Sequence, residues 1–322
     1  MGTLTVIDLS RSGLSGGNMK NKYSNLDNVK NKQSIMHVYK WMKKKKKMTR
    51  SYFIEHHSEI NKHFLRENNS KTTITWIGHS TFLIQMGKLN IITDPVYAKI
   101  MGIRKRLTEP GIPIQELPPI DIVLISHAHY DHLDFPTLKR IGRHAQYLLP
   151  MGLKPLFERK QYHHSTELAW WDSKKINGVE FTFVPAQHWT RRTLFDTNTS
   201  HWGGWIIKNG ASGETVYFAG DSGYFKGFEL IGKRFSIDHA LLPIGAYEPA
   251  SIMRVAHMSP EEAVQSYIDL KAKVFIPMHY GTFKLADDTP QEALHRLKAE
   301  WKRQNLDQDQ LKILLLGETL HV

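Results

Sequence analysis

The sequence contains no cysteine. Disulfides, thiolate nucleophiles and cysteine-ligated metals are therefore excluded, and any metal must be held by nitrogen and oxygen donors. No apolar run reaches the roughly 18 residues that a membrane-spanning helix needs. The first twenty residues also lack the apolar core of a secretion signal, so the chain reads as cytoplasmic. Acidic residues are scarce at one end only. Residues 1–71 carry 15 Lys/Arg against 5 Asp/Glu, whereas the remaining 251 carry 28 (43 − 15) and 26 (31 − 5). The formal charge of +12 thus divides into +10 on an N-terminal arm and +2 on the body. A body so close to neutral makes nucleic acid an unexpected partner. The basic run Lys43, Lys44, Lys45, Lys46 and Lys47 is either a solvated tail or a contact for an anionic membrane. Each lysine near such a surface contributes about 1 kcal/mol, which would place the protein peripherally on the inner face of a membrane.

What is present describes an ordinary globular chain, with 41% hydrophobic and 23% charged residues over a length of 322. Residues 1–50 read as a disordered basic arm and residues 51–322 as the folded domain. Within 51–70, Phe53, Ile54, Ile60, Phe64 and Leu65 suggest a helix packed on the body. From Thr72 the texture becomes β-branched. Segments 72–77, 81–86 and 89–93 read as strands, the last two joined by Gly87-Lys88 as a two-residue hairpin. Residues 95–119 read as an exposed loop, basic around Arg104 and Arg106. Further strands are expected at 122–125, 146–149, 179–184, 205–208, 215–219, 239–242 and 274–276, with 312–316 as a closing strand. Asp134 is expected to cap a helix running to Gly142. Ser259-Pro260-Glu261-Glu262 and Thr289-Pro290-Gln291-Glu292 each combine a hydroxyl cap, a first-turn proline and a capping-box glutamate. Strands dominate and helices are interspersed, which predicts two packed sheets with helices outside.

The strand at 122–125 empties into His127-Ala-His129-Tyr-Asp131-His132, three histidines and an aspartate within six residues. Imidazoles and a carboxylate are the donors that a borderline divalent cation such as zinc accepts. Unpaired, they would be costly to gather at a strand end. Three more candidates follow strands in the same way: His188, Asp221 and His279. Seven donors exceed what one tetrahedral zinc needs and suit two metals. The chemistry alone pairs His127 with His129 on one metal and Asp131 with His132 on the other, with Asp221 able to bridge. Two such metals would activate water near neutral pH without a serine or cysteine nucleophile.

His127-x-His129-x-Asp131-His132 with His188, Asp221 and His279 in order resembles the metallo-β-lactamase superfamily. Within it, the chain resembles the N-acyl-phosphatidylethanolamine-hydrolysing phospholipases D and their bacterial relatives. The matching stretches include Trp76-Ile-Gly-His-Ser-Thr, Gln187-His-Trp-Thr-Arg-Arg-Thr-Leu, Ala219-Gly-Asp-Ser-Gly-Tyr, Pro243-Ile-Gly-Ala-Tyr-Glu-Pro and His279-Tyr-Gly-Thr-Phe. They cover the chain from about residue 72 onward. The resemblance implies an α/β (α+β) fold, a four-layer αβ/βα sandwich, with two zinc ions at its open edge; manganese or iron also suit such donors. It implies His127, His129, His188 and Asp221 on one ion, and Asp131, His132, Asp221 and His279 on the other. His257 matches an active-site histidine positioned to contact phosphate, and Asp131 would orient the attacking hydroxide as well as ligate. Ala250-Ser251-Ile252 and Tyr280 depart from the family pattern. Tyr247 and Tyr280 are accordingly the candidate substrate residues.

The implied activity is zinc-dependent phosphodiester hydrolysis of phospholipase D type on N-acyl-phosphatidylethanolamine-like lipids. A lactonase of the ascorbate-phosphate lactonase kind is the alternative, and a non-catalytic zinc-containing membrane-binding protein is a second. Other residues carry plainer expectations. His79 is as readily a hydrogen-bonded structural histidine as a catalytic one. Asp94 orders loops around the site without ligating. His201 is structural, as are Trp170, Trp171, Trp189, Trp202 and Trp205. His56, His57, His163 and His164 are surface residues, and Arg191 and Arg192 either pair with a phosphate or are solvated.

Overall fold

A computed structural model of the protein describes residues 22–27, 29, 52, 54–57, 59, 61–102 and 104–322. Strands β1 (Thr73–Gly78), β2 (Thr81–Met86) and β3 (Leu89–Thr93) form an antiparallel meander. Gly87 and Lys88 both have positive φ (58° and 65°), the conformation a two-residue hairpin turn needs to match strand twist. Two short strands, β4 (Ile100–Met101) and β5 (Arg104–Lys105), pair by themselves. β6 (Ile122–Leu124), β7 (Gln146–Pro150) and β8 (Ser165–Leu168) then add to β3 in parallel. The second sheet holds β9 (Ser173–Ile176), β10 (Val179–Pro185), β11 (Gly203–Asn209) and β12 (Thr215–Phe218), all antiparallel. β13 (His239–Pro243) and β14 (Val274–Met278) extend it in parallel. β15 (Thr319–His321) returns to the outer edge of β1. The orders are β15-β1-β2-β3-β6-β7-β8 in a seven-stranded sheet and β14-β13-β12-β11-β10-β9 in a six-stranded one.

The two sheets pack face to face. Period-two alternation assigns Ile122 and Leu124 to the inter-sheet core, beside Phe181, Phe183 and Trp205. Val123 and Ile125 turn to the outer layer, with Leu138 and Ile141 of helix α2 (Phe135–Ile141). α3 (Lys154–Arg159) places Phe157 in that same layer. On the far side α4 (Gly227–Arg234) packs on α6 (Pro260–Leu270), which follows the single turn α5 (Ala250–Met253) and packs on β13 and on α7 (Pro290–Arg303). The expected four layers, helix, sheet, sheet and helix, are present. The expected caps hold too. Asp134 accepts from Thr137 N, Thr289 from Glu292 N, and Ser259 with Glu262 forms a complete reciprocal box.

Four expectations need correction. The closing strand is Thr319–His321 rather than 312–316. Leu314 and Leu316 do fill the core, but only isolated bridges tie that stretch, Phe275 to Leu311 and His56 to Leu316. Among the described residues of 51–70 the expected helix is the short α1 (Lys62–Glu67), capped by Asn61 and burying Leu65. Loop 95–119 is not uniformly exposed. Val96, Tyr97 and Ile112 are buried, and Arg106 donates to the carbonyls of Thr108 and Val96. Finally, part of the expected arm lies on the body. Tyr23 N–H donates to Asn198 O (2.9 Å), its ring stacks on His201 (4.5 Å), and Asn25 is buried. The lysine run at 43–47 falls outside the described residues.

Candidate metal centre

β1, β3 and β6 run parallel to one another, and so do β10, β12 and β14, as their pairings require. Their carboxyl ends therefore lie on common edges, and each empties into one polar side chain or more. His79 follows β1, Asp94 follows β3, His127 to His132 follow β6, His188 follows β10, Asp221 follows β12 and His279 follows β14. Three of these residues, His79, Asp94 and His279, have positive φ (56°, 32° and 62°). Non-glycine residues avoid that region unless packing enforces it, and such strain gathers at functional sites. Gly220 (φ 62°) brings the Asp221 turn against the histidine loop. A Cβ there would sit 2.6 Å from Ser126 Cβ and 2.9 Å from Gly203 O, so the approach requires glycine.

The donors converge in two adjoining groups. In the first, His129 Nδ1 lies 2.9 Å from His127 Nε2 and 3.1 Å from His188 Nε2. Asp221 Oδ2 stands 3.9 Å from His127 Nε2 and 3.8 Å from His188 Nε2. In the second, His132 Nε2 is 3.2 Å from Asp221 Oδ2 and 3.5 Å from Asp131 Oδ2. His279 Nε2 is 3.0 Å from Asp221 Oδ1 and 3.5 Å from Asp131 Oδ2. Donors ~2.0–2.1 Å from one tetrahedral cation are ~3.3 Å from each other. The observed spacings bracket that edge.

The far nitrogens fix the rings. His188 Nδ1–H donates to Ala256 O (2.9 Å), leaving Nε2 as the lone pair that faces the group. His132 Nδ1–H donates to Asp94 Oδ2 (2.7 Å), and Asp94 also accepts from Ser126 N (2.7 Å) and from Ser126 Oγ. Asp94 thus orders the loop from behind, as expected, in the manner of a carboxylate that orients a metal-binding imidazole. Several inward atoms make no hydrogen bond. They are His132 Nε2, His257 Nδ1, His279 Nε2 and Asp221 Oδ1. Buried polar atoms are rarely left so. A borderline divalent cation fits this donor set, since it would take up the converging lone pairs and carboxylate oxygens together.

Electrostatics divide the site. Burial, reinforced by the neighbouring imidazoles, holds His127 well below the usual histidine range. Burial also lowers His188 well below it and His129 to about 4, against the pull of nearby carboxylates. These three are neutral ligands in waiting. Burial opposes charge on His132 and His279 as well, but Asp221 and Asp131 overcome it, raising His132 well above its usual value and His279 to about 9. Both carboxyls stay ionised despite burial, chiefly through His132. The pair of aspartates thus demands positive charge, which protons on His132 and His279 meet when no cation does.

His257 belongs to the cluster. Its Nδ1 is 3.8 Å from Asp221 Oδ2 and its ring stacks on His279 at 5.5 Å. Its side chain and that of Asp131 are each 13% exposed and His129 is partly exposed too, so these three open the cluster to solvent. His79, left undecided by the sequence, contacts Asp131 Oδ2 through Nε2 (3.1 Å) and its ring lies 4.1 Å from that of His279. Its place after a strand end was the available signal. Asn25 had none. Its Oδ1 accepts from His188 N–H and from Trp202 Nε1–H, both at 3.0 Å. The candidate substrate residues are placed differently from expectation. Tyr247 is 2% exposed with Arg296 over its ring, and Tyr280 is 4% exposed and stacked on Trp76 (5.0 Å). Tyr280 and His279 border a void of about 10 Å³, room for a water and not for a substrate.

Arg192 is tied to the backbone, its Nη1 donating to the carbonyls of Ala128 and Leu133 (2.8 Å each). Trp202 and Trp205 are core residues, and Trp205 Nε1–H reaches Ile125 O (3.0 Å) across the sheets. His201 is buried between Trp170 and Tyr23.

Residues 89–280 match the family described as the beta-lactamase superfamily domain. The chain is 34% identical over 230 residues to N-acyl-phosphatidylethanolamine-hydrolyzing phospholipase D 1 of Caenorhabditis elegans, covering 66% of this chain and 64% of that protein. It is 32% identical over 227 residues to a metal-dependent hydrolase of Rubrobacter xylanophilus, covering 69% of this chain and 86% of that protein. It spans 65% of the length of mycobacterial relatives matched at 35% identity. In fold it is similar to the metallo-beta-lactamase fold protein YhfI from Bacillus subtilis, with a TM-score of 0.56 at 19% identity over 79% of this chain and 100% of that one. With the family matched across both sheets and every strand end that feeds the His/Asp cluster except that of β1, the chain belongs to the beta-lactamase superfamily domain family, grouping there with metal-dependent hydrolases.

Proposed function

We propose that the protein is a binuclear metal-dependent hydrolase, and that its substrate is the phosphodiester of N-acyl-phosphatidylethanolamine-like lipids. The observation that carries the metal reading is the convergence of seven histidine and aspartate side chains in two adjoining donor groups, with His132 Nε2, His279 Nε2 and Asp221 Oδ1 left without hydrogen bonds. The lipid reading is drawn from similarity to the nematode phospholipase D. His127, His129 and His188 would hold one cation and Asp131, His132 and His279 the other, with Asp221 between them. Zinc is the proposed ion, and manganese or iron suit the same donors. When bound, two such cations supply Lewis acidity to a phosphoryl oxygen and a water acidic enough to attack near neutral pH.

The chain's own residues do the rest. Asp131 Oδ2 is engaged by His79, His132 and His279, which leaves Oδ1 to accept a hydrogen bond from the attacking water. His79 holds that carboxylate in place. His257, partly open and kept neutral by burial with a pKa lowered to about 4, can donate a hydrogen bond to a phosphoryl oxygen, and the leaving alkoxide takes its proton from water. Cleavage on the alcohol side gives phosphatidic acid and an N-acylethanolamine. Metal-replete protein is expected to release both from vesicles containing N-acyl-phosphatidylethanolamine, in a chelator-sensitive way. Fully metal-loaded protein that leaves this lipid intact contradicts the substrate reading. If it opens a lactone panel instead, the same site serves a lactonase.

A further inference from the structure

Leu194 and Phe195 are 82% and 90% exposed. The next most exposed large hydrophobic side chain among the described residues is Ile100, at 59%. Two adjacent apolar side chains in water gain nothing for the fold, yet the loop that carries them is built with care. Asp196 Oδ1 accepts from the backbone N–H groups of Arg192 (2.9 Å) and Thr193 (2.7 Å), closing the turn beneath the tip. Thr190 and Asn198 tie the base, through Asn198 N–H to Thr190 O (2.8 Å) and Thr190 N–H to Asn198 Oδ1 (3.1 Å). Arg192 then fastens the loop to the His127–His132 segment through the carbonyls of Ala128 and Leu133, and Tyr130 Oη–H donates back to Arg192 O (3.0 Å). The tip is held out from a rigid base whose root lies two residues past His188.

We infer that this tip is an interfacial anchor that inserts into an anionic phospholipid bilayer and sets the metal centre against the lipid surface. Side-chain size argues for a bilayer over a second copy of the chain. A stable protein interface buries about 1,200–2,000 Å², and one Phe with one Leu supplies a small fraction of that, whereas a small apolar anchor combined with nearby basic side chains provides the two signals that membrane association takes. Charge agrees. Arg191 is exposed directly beside the tip, and Arg159 lines the cavity of about 430 Å³ beneath it, together with Tyr130 and Leu156. The nearest acid, Asp196, is engaged by its own turn. The choice of lipid as partner rests on the substrate reading above; the docking itself does not require turnover.

Flotation with vesicles of phosphatidylcholine, and of equal parts phosphatidylcholine and phosphatidylglycerol, tests this on the full chain. Wild type is expected to float with the mixed vesicles and to keep part of its binding in molar salt, where attraction of the lysine run is screened. The Leu194→Ser/Phe195→Ser variant is expected to lose about tenfold in partition there, with metal content and thermal unfolding unchanged. Wild type that does not float, or a double variant that floats equally, overturns the inference. So does a variant that alters only self-association in sedimentation. Docking with no hydrolysis of any lipid would leave the anchor standing and remove the proposed substrate.

Discussion

Asp221 Oδ2 stands within 3.9 Å of His127, His132, His188 and His257 nitrogens, and Oδ1 faces His279. Replacing it with asparagine keeps the volume but removes the charge and exchanges one donor oxygen for an N–H₂ group. Asp221→Asn is expected to lower hydrolysis at least about 100-fold and to release metal measurable by mass spectrometry, because second-shell changes alone cost about 10–100-fold. Full metal content in that variant would remove Asp221 from the bridge. His201 gives a prediction away from the metal. Burial lowers its pKa to about 3, against about 6.5 in an unfolded chain. A depressed folded pKa contributes stability that is complete above pH ~6.5 and is lost as pH falls toward the folded value, at up to ~1.4 kcal/mol per pH unit. His201→Phe should therefore flatten the decline of unfolding free energy between about pH 6 and 4.5 by up to that slope. Parallel profiles for the two proteins would show that the ring is not buried neutral. The residues of the candidate metal cluster were legible in the sequence because each follows an apolar run. His79 was half legible, and Asn25 was not, since an isolated asparagine in a basic arm has no pattern that points across 163 residues to His188.

The strap that carries Asn25 is the least legible element and makes a sharp prediction. Asn25→Ala would strip the one acceptor for His188 N–H among the described residues and one of two there for Trp202 Nε1–H. Leaving a buried donor unpaired costs about 1–3 kcal/mol. As a positioning residue, Asn25 should also affect metal affinity, by about tenfold in chelator competition, with Asn25→Asp retaining most of it because an acceptor oxygen remains. Unchanged affinity in Asn25→Ala would reduce the strap to a packing role. Helix α6 offers a control at the same scale. Ser259→Ala breaks a reciprocal box and should cost about 1 kcal/mol by denaturant titration, without changing metal content. Such caps were readable because Ser-Pro-Glu-Glu is a local chemical instruction. By contrast, α3 and α4 begin at Leu153 and Lys226 with no side-chain cap, and neither was anticipated. β8 and β9 are edge strands of mixed polarity, as edges must be, so no apolar run marked them. The closing strand was misread for the same reason. Residues 312–316 are apolar because they fill the core, while Thr319–His321 pairs at a half-exposed edge.

At the scale of the molecule, two sheets bring their strand ends to one edge, and that convergence follows from parallel pairing more than from any single motif. The four-layer fold was readable from strand density. The placement of Tyr247 and Tyr280 was not, because a pattern of residues does not say which side of a strand end becomes a mouth. The uneven charge gives one more prediction. Deleting residues 1–50 removes both the lysine run and Asn25, whereas replacing Lys43, Lys44, Lys45, Lys46 and Lys47 by serine removes only the charge. The deletion should lower metal affinity, and the serine replacement should leave it intact while weakening vesicle binding in low salt. Equal metal affinity in the two proteins would show that the strap does not support the site. The most direct measurement is the metal content of the purified full chain after saturation with zinc and removal of the free ion. Two ions per chain are expected, falling to one or fewer in Asp221→Asn. A wild-type chain that retains none would contradict the metal centre itself.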